Sequence, residues 1–270
     1  MGALPVTPVV LTIAGSDSGG GAGIQQDLKV FEAFGVWGAS AVTAVTVQDT
    51  HGVRGIHPVP WEIVAAQIEA VAGDMRPAAA KTGMLPDAAC VRAVCDAVER
   101  SRLGPLVLDP VIEASDGTPL LDPPALSIVR ERLIPLAAIV TPNAPEAASL
   151  TGLPVASVAD QEKAARVLCE MGAQAALVTG GHLAGEATDI LFDGETVTRL
   201  SAHRVDAGPV HGTGCVLSAA IAAGLAAGRD LGAAVRDAKA FVTGAIERAR
   251  RLGGGAAVAD AAWRTRPPSH

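Results

Sequence analysis

The chain has 270 residues, 49% of them apolar and 18% charged, with a net charge of −7. That composition excludes a mainly disordered chain and offers no basic surplus for a nucleic acid. The length allows a sizeable core without disulfide or metal staples, and with no Tyr and 3% aromatics that core must be aliphatic. Along the chain, β-rich runs alternate with helical stretches. The runs are Val9 to Gly15, Ala39 to Val47, Ala78 to Met84, Pro105 to Val111, Ala137 to Asn143 and Ala175 to Gly181. Several are apolar at successive positions, as strands covered on both faces are. Helical periodicity covers Trp61 to Val71, Ala88 to Arg100, Ala125 to Leu133 and Asp160 to Met171. Repeated units of this kind predict an α/β fold with a mostly parallel sheet and helices on both faces. Thr188 to Val205 reads as a hairpin around Asp193-Gly194, which places an antiparallel edge near the end of the sheet. Two helices follow, Gly214 to Ala227 and Leu231 to Leu252, and the tail from Gly253 reads as frayed or weakly packed. No linker or repeat divides the chain, so one domain over residues 1–270 is expected.

The four cysteines, Cys90, Cys95, Cys169 and Cys215, match no CxxC motif, and a reduced setting is the simplest reading. The start of the chain lacks a basic region followed by a long apolar run. The most apolar tract, Val216 to Ala227, is short for a membrane span. A cytoplasmic protein without a membrane partner is expected.

Ligands of open parallel sheets sit beyond the carboxyl ends of the strands. The polar, glycine-rich segments fall at those ends. Ala14 to Gly23 reads AGSDSGGGAG and leads into a helix near Ile24. Its glycines permit close approach of a ligand to backbone. It is neither a P-loop nor a dinucleotide fingerprint, and a generous turn is the plain alternative. His211-Gly212-Thr213-Gly214-Cys215 opens a small-residue helix. Unpaired N–H groups at the positive end of that helix suit an anion such as a transferring phosphoryl group. Cys215 falls in the first turn, where a thiol has a lowered pKa; the bland alternative is a buried, inert cysteine. Asp109 follows one strand, and Glu146 follows Thr141-Pro142-Asn143-Ala144-Pro145. Either carboxylate could hold Mg²⁺, and either could equally be a cap or a dipole-favoured helix residue. Val178-Thr179-Gly180-Gly181-His182 ends a further strand.

AGSDSGGGAGIQQDLK, TAVTVQDTHGV, KTGML, LDPV followed by GTPLL, TPNAPEA, GGH and HGTGCVLSAAIAA occur in this order from about Val9 to Arg250. In that order they resemble the ribokinase-like superfamily, and within it the hydroxymethylpyrimidine/phosphomethylpyrimidine kinases of thiamine biosynthesis. The resemblance implies a three-layer α/β/α sandwich, ATP and Mg²⁺ as cofactors, and commonly a homodimer. It also implies two phosphorylations, of 4-amino-5-hydroxymethyl-2-methylpyrimidine and then of its monophosphate. By position, Gln48 matches the glutamine that hydrogen-bonds the pyrimidine, a task for which an amide has both donor and acceptor. Gly15, Ala22, Val47, Met84 and Val111 match the pocket walls, and Asp27 an aspartate near that pocket. Asp109, Asn143, Thr179, Gly181 and Thr213 match nucleotide and phosphate positions, and Asp109 and Glu146 positions near the metal. Gly212, Gly214 and Cys215 match the anion hole and the catalytic position; other branches carry Asp as general base where this one carries Cys.

Two departures bear on activity. Thr179 stands where relatives often have a lysine before Gly-Gly-His, which could neutralise nucleotide phosphate. Glu113 and Asp116 add negative charge to the loop after Asp109, and such charge facing the pocket would repel a phosphorylated substrate. That weighs on the second phosphorylation more than on the first. A pyridoxal kinase of the same superfamily is the nearest alternative, against which Gln48 and Met84 speak. A non-catalytic nucleotide- or pyrimidine-binding module is the alternative from another class. Asp109, Glu146 and the HGTGC loop together argue against it.

Overall fold

Successive residues of each central strand point to opposite faces of one sheet, and both faces are apolar. Val10, Ala79, Val107, Ile139 and Leu177 meet one helical layer. Their neighbours Leu11, Ala80, Leu108, Val140 and Val178 meet the other. This is why the runs read as continuously hydrophobic rather than alternating. The computed structural model describes residues 6–266 apart from Arg102, Ser115, Asp116, His182 and Ala184.

The strands are β1 (Val9–Asp17), β2 (Trp37–Asp49), β3 (Gly52–Pro58), β4 (Ala79–Thr82), β5 (Leu106–Leu108), β6 (Ile139–Val140), β7 (Ala176–Val178), β8 (Ala187–Phe192) and β9 (Val197–Ala202). Their order is β3-β2-β1-β4-β5-β6-β7-β8-β9. The pairings from β2 to β7 are parallel. The β8–β9 hairpin is antiparallel, as Asp193-Gly194 predicts. The opposite edge is also antiparallel, which the sequence reading does not anticipate. There β3 carries Arg, His and two glycines in seven residues, so it lacks a period-2 pattern.

The helices are α1 (Gly23–Ala33), α2 (Trp61–Met75), α3 (Ala88–Ser101), α4 (Pro123–Ile128), α5 (Ala144–Thr151), α6 (Val158–Glu170), α7 (Thr213–Ala226) and α8 (Leu231–Glu247). Helices α1, α7 and α8 cover one face and α2 to α6 the other, giving the expected ribokinase-like three-layer sandwich. Helix α4 runs on as one wide turn, Val129–Leu133, and one tight turn, Ile134–Leu136, around Pro135. Buried Ala and Gly residues along α7 let α8 approach closely. A Cβ on Gly224 would lie 3.0 Å from the Ala234 Cβ.

The tail corrects one expectation. Residues 257–261 are buried rather than frayed. Ala257–Val258 forms β11, which pairs with β10 (Val210–His211). Trp263 stacks 5.8 Å from Phe241, and its indole N–H donates to the Phe241 carbonyl at 3.1 Å. Alanine-rich AAVADAAW shows no usable period, so its burial depends on partners far back in the chain. No described helix is long and apolar enough to cross a membrane, and all four cysteines are unpaired.

Candidate active site

The glycine-rich loop after β1 does not present its amides outward. Asp17, the last residue of β1, turns its carboxylate into the loop. Its Oδ1 accepts from the Gly19 N–H, and its Oδ2 from Gly21 and Ala22, each at 2.8 Å. Against the cost of burial, the His211 contact and these amides hold Asp17 below the usual carboxylate range. The expected ligand cradle is therefore filled by a side chain of the loop itself. Helix α1 then begins at Gly23, whose φ of 57° suits glycine. Any side chain there would collide with the Gly15 carbonyl. The Gly23 N–H faces the Cys215 thiol, where it favours the thiolate.

The second loop arrives from the far end of the chain. Gly212 is the N-cap of α7 at φ 83°, and a side chain on it would strike the Gly21 carbonyl. The two glycine loops thus interlock, backbone on backbone. No side chain caps α7, so its first N–H groups remain available to an anion. Cys215, in the first turn, lies where the N-termini of α1 and α7 converge.

The thiol itself departs from expectation. Burial pushes Cys215 up to about 12; Lys81 pulls it down, and Asp27 and Asp109 push it further up. The lowered pKa inferred from helix position is outweighed by desolvation and by two carboxylates that the local sequence does not reveal.

Those carboxylates flank a fully buried lysine. Lys81 Nζ lies 3.0 and 2.9 Å from the two oxygens of Asp27 and 3.8 Å from Asp109 Oδ2. Thr12 Oγ1 donates to Asp27 at 2.6 Å, and Ser218 Oγ donates to Asp109 at 2.8 Å. Burial works against charge on Lys81, yet the Asp27 and Asp109 carboxylates hold it protonated. Asp27, which the resemblance places near the pocket, is fully buried. It anchors Lys81 beneath the site.

Asn143 and Glu146 open α5 with a capping box. Asn143 Oδ1 accepts from the Glu146 N–H, and Glu146 Oε2 accepts from the Asn143 N–H, both at 2.9 Å. The Asn143 amide oxygen is thereby engaged in the cap. Burial, reinforced by Asp109 and Glu113, pushes Glu146 up to about 8. Burial likewise lifts Asp109, against the pull of Lys81. Two buried carboxylates in surplus over their local cations fit a divalent ion. Among the described residues no group of three or more His, Cys, Asp or Glu could hold a metal. Water and phosphate oxygens would have to complete the shell, which is how Mg²⁺ is usually bound.

On the substrate side, a Cβ on Gly15 would lie 3.1 Å from Met84 Sδ. Met84 packs with Ala44, Leu120 and Val111, so Gly15, Met84 and Val111 lie together. Ala22 is half-buried at the head of α1, while Val47 is exposed. Gln48 sits at a bulge near the end of β2, with its amide Nε2 2.9 Å from His211 Nε2. On the nucleotide side, the Thr179 N–H donates to the Pro142 carbonyl at 2.9 Å. Arg204 donates to the carbonyls of Gly181, Leu183 and Gly185. It brings a cation to the loop where Thr179 replaces a lysine. His182 and Asp116 lie outside the described residues. Glu113 is exposed, yet close enough to Glu146 to act on it.

Lys81, Ser218, Asp17, His211 and Arg204 are site residues to which sequence reasoning assigned no role. All but Arg204 lie within motifs that the sequence singles out, and Lys81 is also a lone charge inside the apolar run AAAKTGM.

A helix N-terminus opened by glycine, set over a buried Lys–Asp pair at the carboxyl ends of a parallel sheet, defines a ribokinase-like kinase. The chain belongs to the phosphomethylpyrimidine kinase family, whose model matches residues 17–260. It is 50% identical over 249 residues to the hydroxymethylpyrimidine/phosphomethylpyrimidine kinase of Rhizobium meliloti, across 92% of this chain and 93% of that one. It is 48% identical over 260 residues to that of Streptomyces coelicolor, across 96% of each. The solved ADP complex of Bacillus subtilis pyridoxal kinase superposes with a TM-score of 0.89 at 35% identity, covering 95% of this chain and 98% of that one.

Proposed function

We propose that this kinase transfers the γ-phosphoryl group of ATP to 4-amino-5-hydroxymethyl-2-methylpyrimidine and then to the resulting monophosphate, in thiamine biosynthesis. The carrying observation is the position of Cys215 at the joint N-termini of α1 and α7, above the Lys81–Asp27 pair. A primary alcohol attacks well only when its proton has an acceptor. Charge on the phosphoryl oxygens is met by the amides of Gly212, Thr213 and Gly214. Mg²⁺, held by Asp109 and Glu146, would supply further neutralisation of the phosphates. Cys215 takes the alcohol's proton in its thiolate form. With the pKa near 12 only a small fraction is thiolate at neutral pH, so the rate follows that fraction.

Gln48 binds the heterocycle edge, and Gly15, Ala22, Val47, Met84 and Val111 wall the pocket. Thr179 and Gly181 face the nucleotide, with Arg204 as the cation of that loop. Asp27 acts through Lys81. The reading includes a homodimer in the cytoplasm; exposed Val45 on β2 favours the first, and unpaired thiols the second.

The test is phosphoryl transfer from ATP to three acceptors: the pyrimidine alcohol, its monophosphate and pyridoxal. The pyrimidine alcohol should be the best, and the monophosphate slower because Glu113 adds negative charge near it. Preference for pyridoxal would replace this reading with that of a pyridoxal kinase. Binding of all three without transfer would make the protein a binding module.

A further inference from the structure

His211 has no part in the chemistry above, yet it is held on every side. Its backbone belongs to β10 and pairs with Val258, and its carbonyl accepts from the Ala259 N–H at 3.2 Å. Its ring lies over Gly21, where a Cβ would come within 2.9 Å of the imidazole Cδ2. The ring nitrogen Nε2 faces two groups: Gln48 Nε2 at 2.9 Å and Asp17 Oδ2 at 3.5 Å. The side chain is only 14% exposed. The imidazole is thus clamped between the glycine-rich loop, the end of β2 and the C-terminal segment.

Gln48 has two N–H donors and an oxygen with two lone pairs. His211 Nε2 approaches one end of the amide, and Thr46 Oγ1, whose single proton lies nearer the Ser16 carbonyl at 2.9 Å, is 3.2 Å from the oxygen. One N–H and one lone pair stay open to a ligand, and their order follows the tautomer of His211, whose Nε2 is shared between Gln48 and Asp17. A heterocycle with a ring nitrogen beside an exocyclic amino group presents the complementary pair. Without His211 the amide could turn about its last bond and present the reverse order. We propose that His211 is a positioning residue that sets the orientation of the Gln48 amide, and thereby the preference for an aminopyrimidine edge over other heterocycles. The proposal rests on the reading that Gln48 contacts the ring, and deepens it.

The test is a double-mutant cycle on Gln48 and His211, with KM and kcat measured for the pyrimidine alcohol, pyridoxal and ATP. His211→Phe keeps the ring volume and removes the nitrogens. It should raise KM for the pyrimidine alcohol by about tenfold, the scale of one ordered hydrogen bond. KM for ATP should stay within about threefold, and selectivity over pyridoxal should fall. His211→Gln, which restores a polar end, should recover part of the loss. Adding His211→Phe to Gln48→Ala should cost nothing further. If Gln48→Ala leaves the pyrimidine KM unchanged, the reading of Gln48 itself fails. If Gln48→Ala raises KM and neither His211 variant does, only the role of His211 fails. An equal loss for all three ligands, or full additivity in the cycle, would make His211 structural and overturn the proposal. Should His211→Phe fail to fold, the His211→Gln arm of the cycle decides.

Discussion

A single thiol illustrates how position and environment compete. Helix position argues for a reactive Cys215, whereas burial and the carboxylates of Asp27 and Asp109 argue for a protonated one. The second effect is larger, with the pKa pushed up to about 12. Alkylation of Cys215 by iodoacetamide should therefore be slow at pH 7 and accelerate steadily as pH rises beyond 9. Cys215→Ser should lower kcat by about 10²-fold, the range for a lost general base, with pyrimidine KM within about threefold. For the wild type, kcat should climb with pH as the thiolate fraction grows. A serine variant with unaltered kcat would leave the anion hole intact and move the base elsewhere. Glu146 makes a comparable case for stability. Burial raises its folded pKa from 4.5 to about 8. Below pH 4.5 both folded and unfolded forms are protonated, and no penalty arises. Between there and pH 8 the unfolded state ionises first, so stability falls as pH rises and levels off above 8. At roughly 1.4 kcal/mol per unit, Glu146→Gln should be more stable than wild type by about 2 kcal/mol or more at pH 8. It should match wild type near pH 4, since glutamine can still accept from the Asn143 N–H. Its activity should drop and be partly restored by raised Mg²⁺. Equal urea midpoints at both pH values would dismiss the buried-charge account.

At the scale of elements, the last segment matters more than its composition suggests. Strand β11 holds β10, and β10 carries His211 to the threshold of α7. Asp260 accepts from Arg250 and Arg266 at 3.0 and 2.6 Å, and Gln26 of α1 donates to the Ala259 carbonyl at 2.8 Å. Trp263 fills the space over Gly244, where a Cβ would lie 2.5 Å from its ring. Removal of residues 253–270 should cost both stability and pyrimidine affinity. Trp263 is half-buried, so Trp263→Ala alone should cost about 2 kcal/mol, below the range for a fully buried aromatic, read from chemical denaturation. A truncated chain with full stability would return the segment to the frayed tail that its sequence suggests. The β8–β9 hairpin shows the opposite case. Asp193-Gly194 announces it locally, and Asp193 accepts from the Glu195 and Thr196 N–H groups at 3.0 and 2.7 Å.

At the scale of the whole molecule, a charged cluster lies where the sheet meets α1 and α7. Lys81, Asp27 and Asp109 come from β4, α1 and the end of β5, with Thr12 and Ser218 completing their hydrogen bonds. Lys81→Met should destabilise by about 3–5 kcal/mol, because it strands two buried carboxylates. Lys81→Met combined with Asp27→Leu should recover part of that, since the charges leave as a pair. A single variant as stable as wild type would mean that the cluster is not ionised. The layered fold was legible in the chain itself: apolar runs of strand length, helical periods between them and one Asp-Gly turn are local signals, and local signals survive in sequence. The loops that form the site were legible for the same reason, since Gly212 and Gly23 must be glycine where two backbones touch. Other features belong only to the tertiary structure. The β3 edge, the packing of the tail, the filling of the glycine-rich loop by Asp17 and the high pKa of Cys215 all depend on partners distant in sequence. Charge and burial act through space. Cys215 is governed by Asp27, Lys81 and Asp109, residues more than a hundred positions away, whose proximity no local pattern encodes.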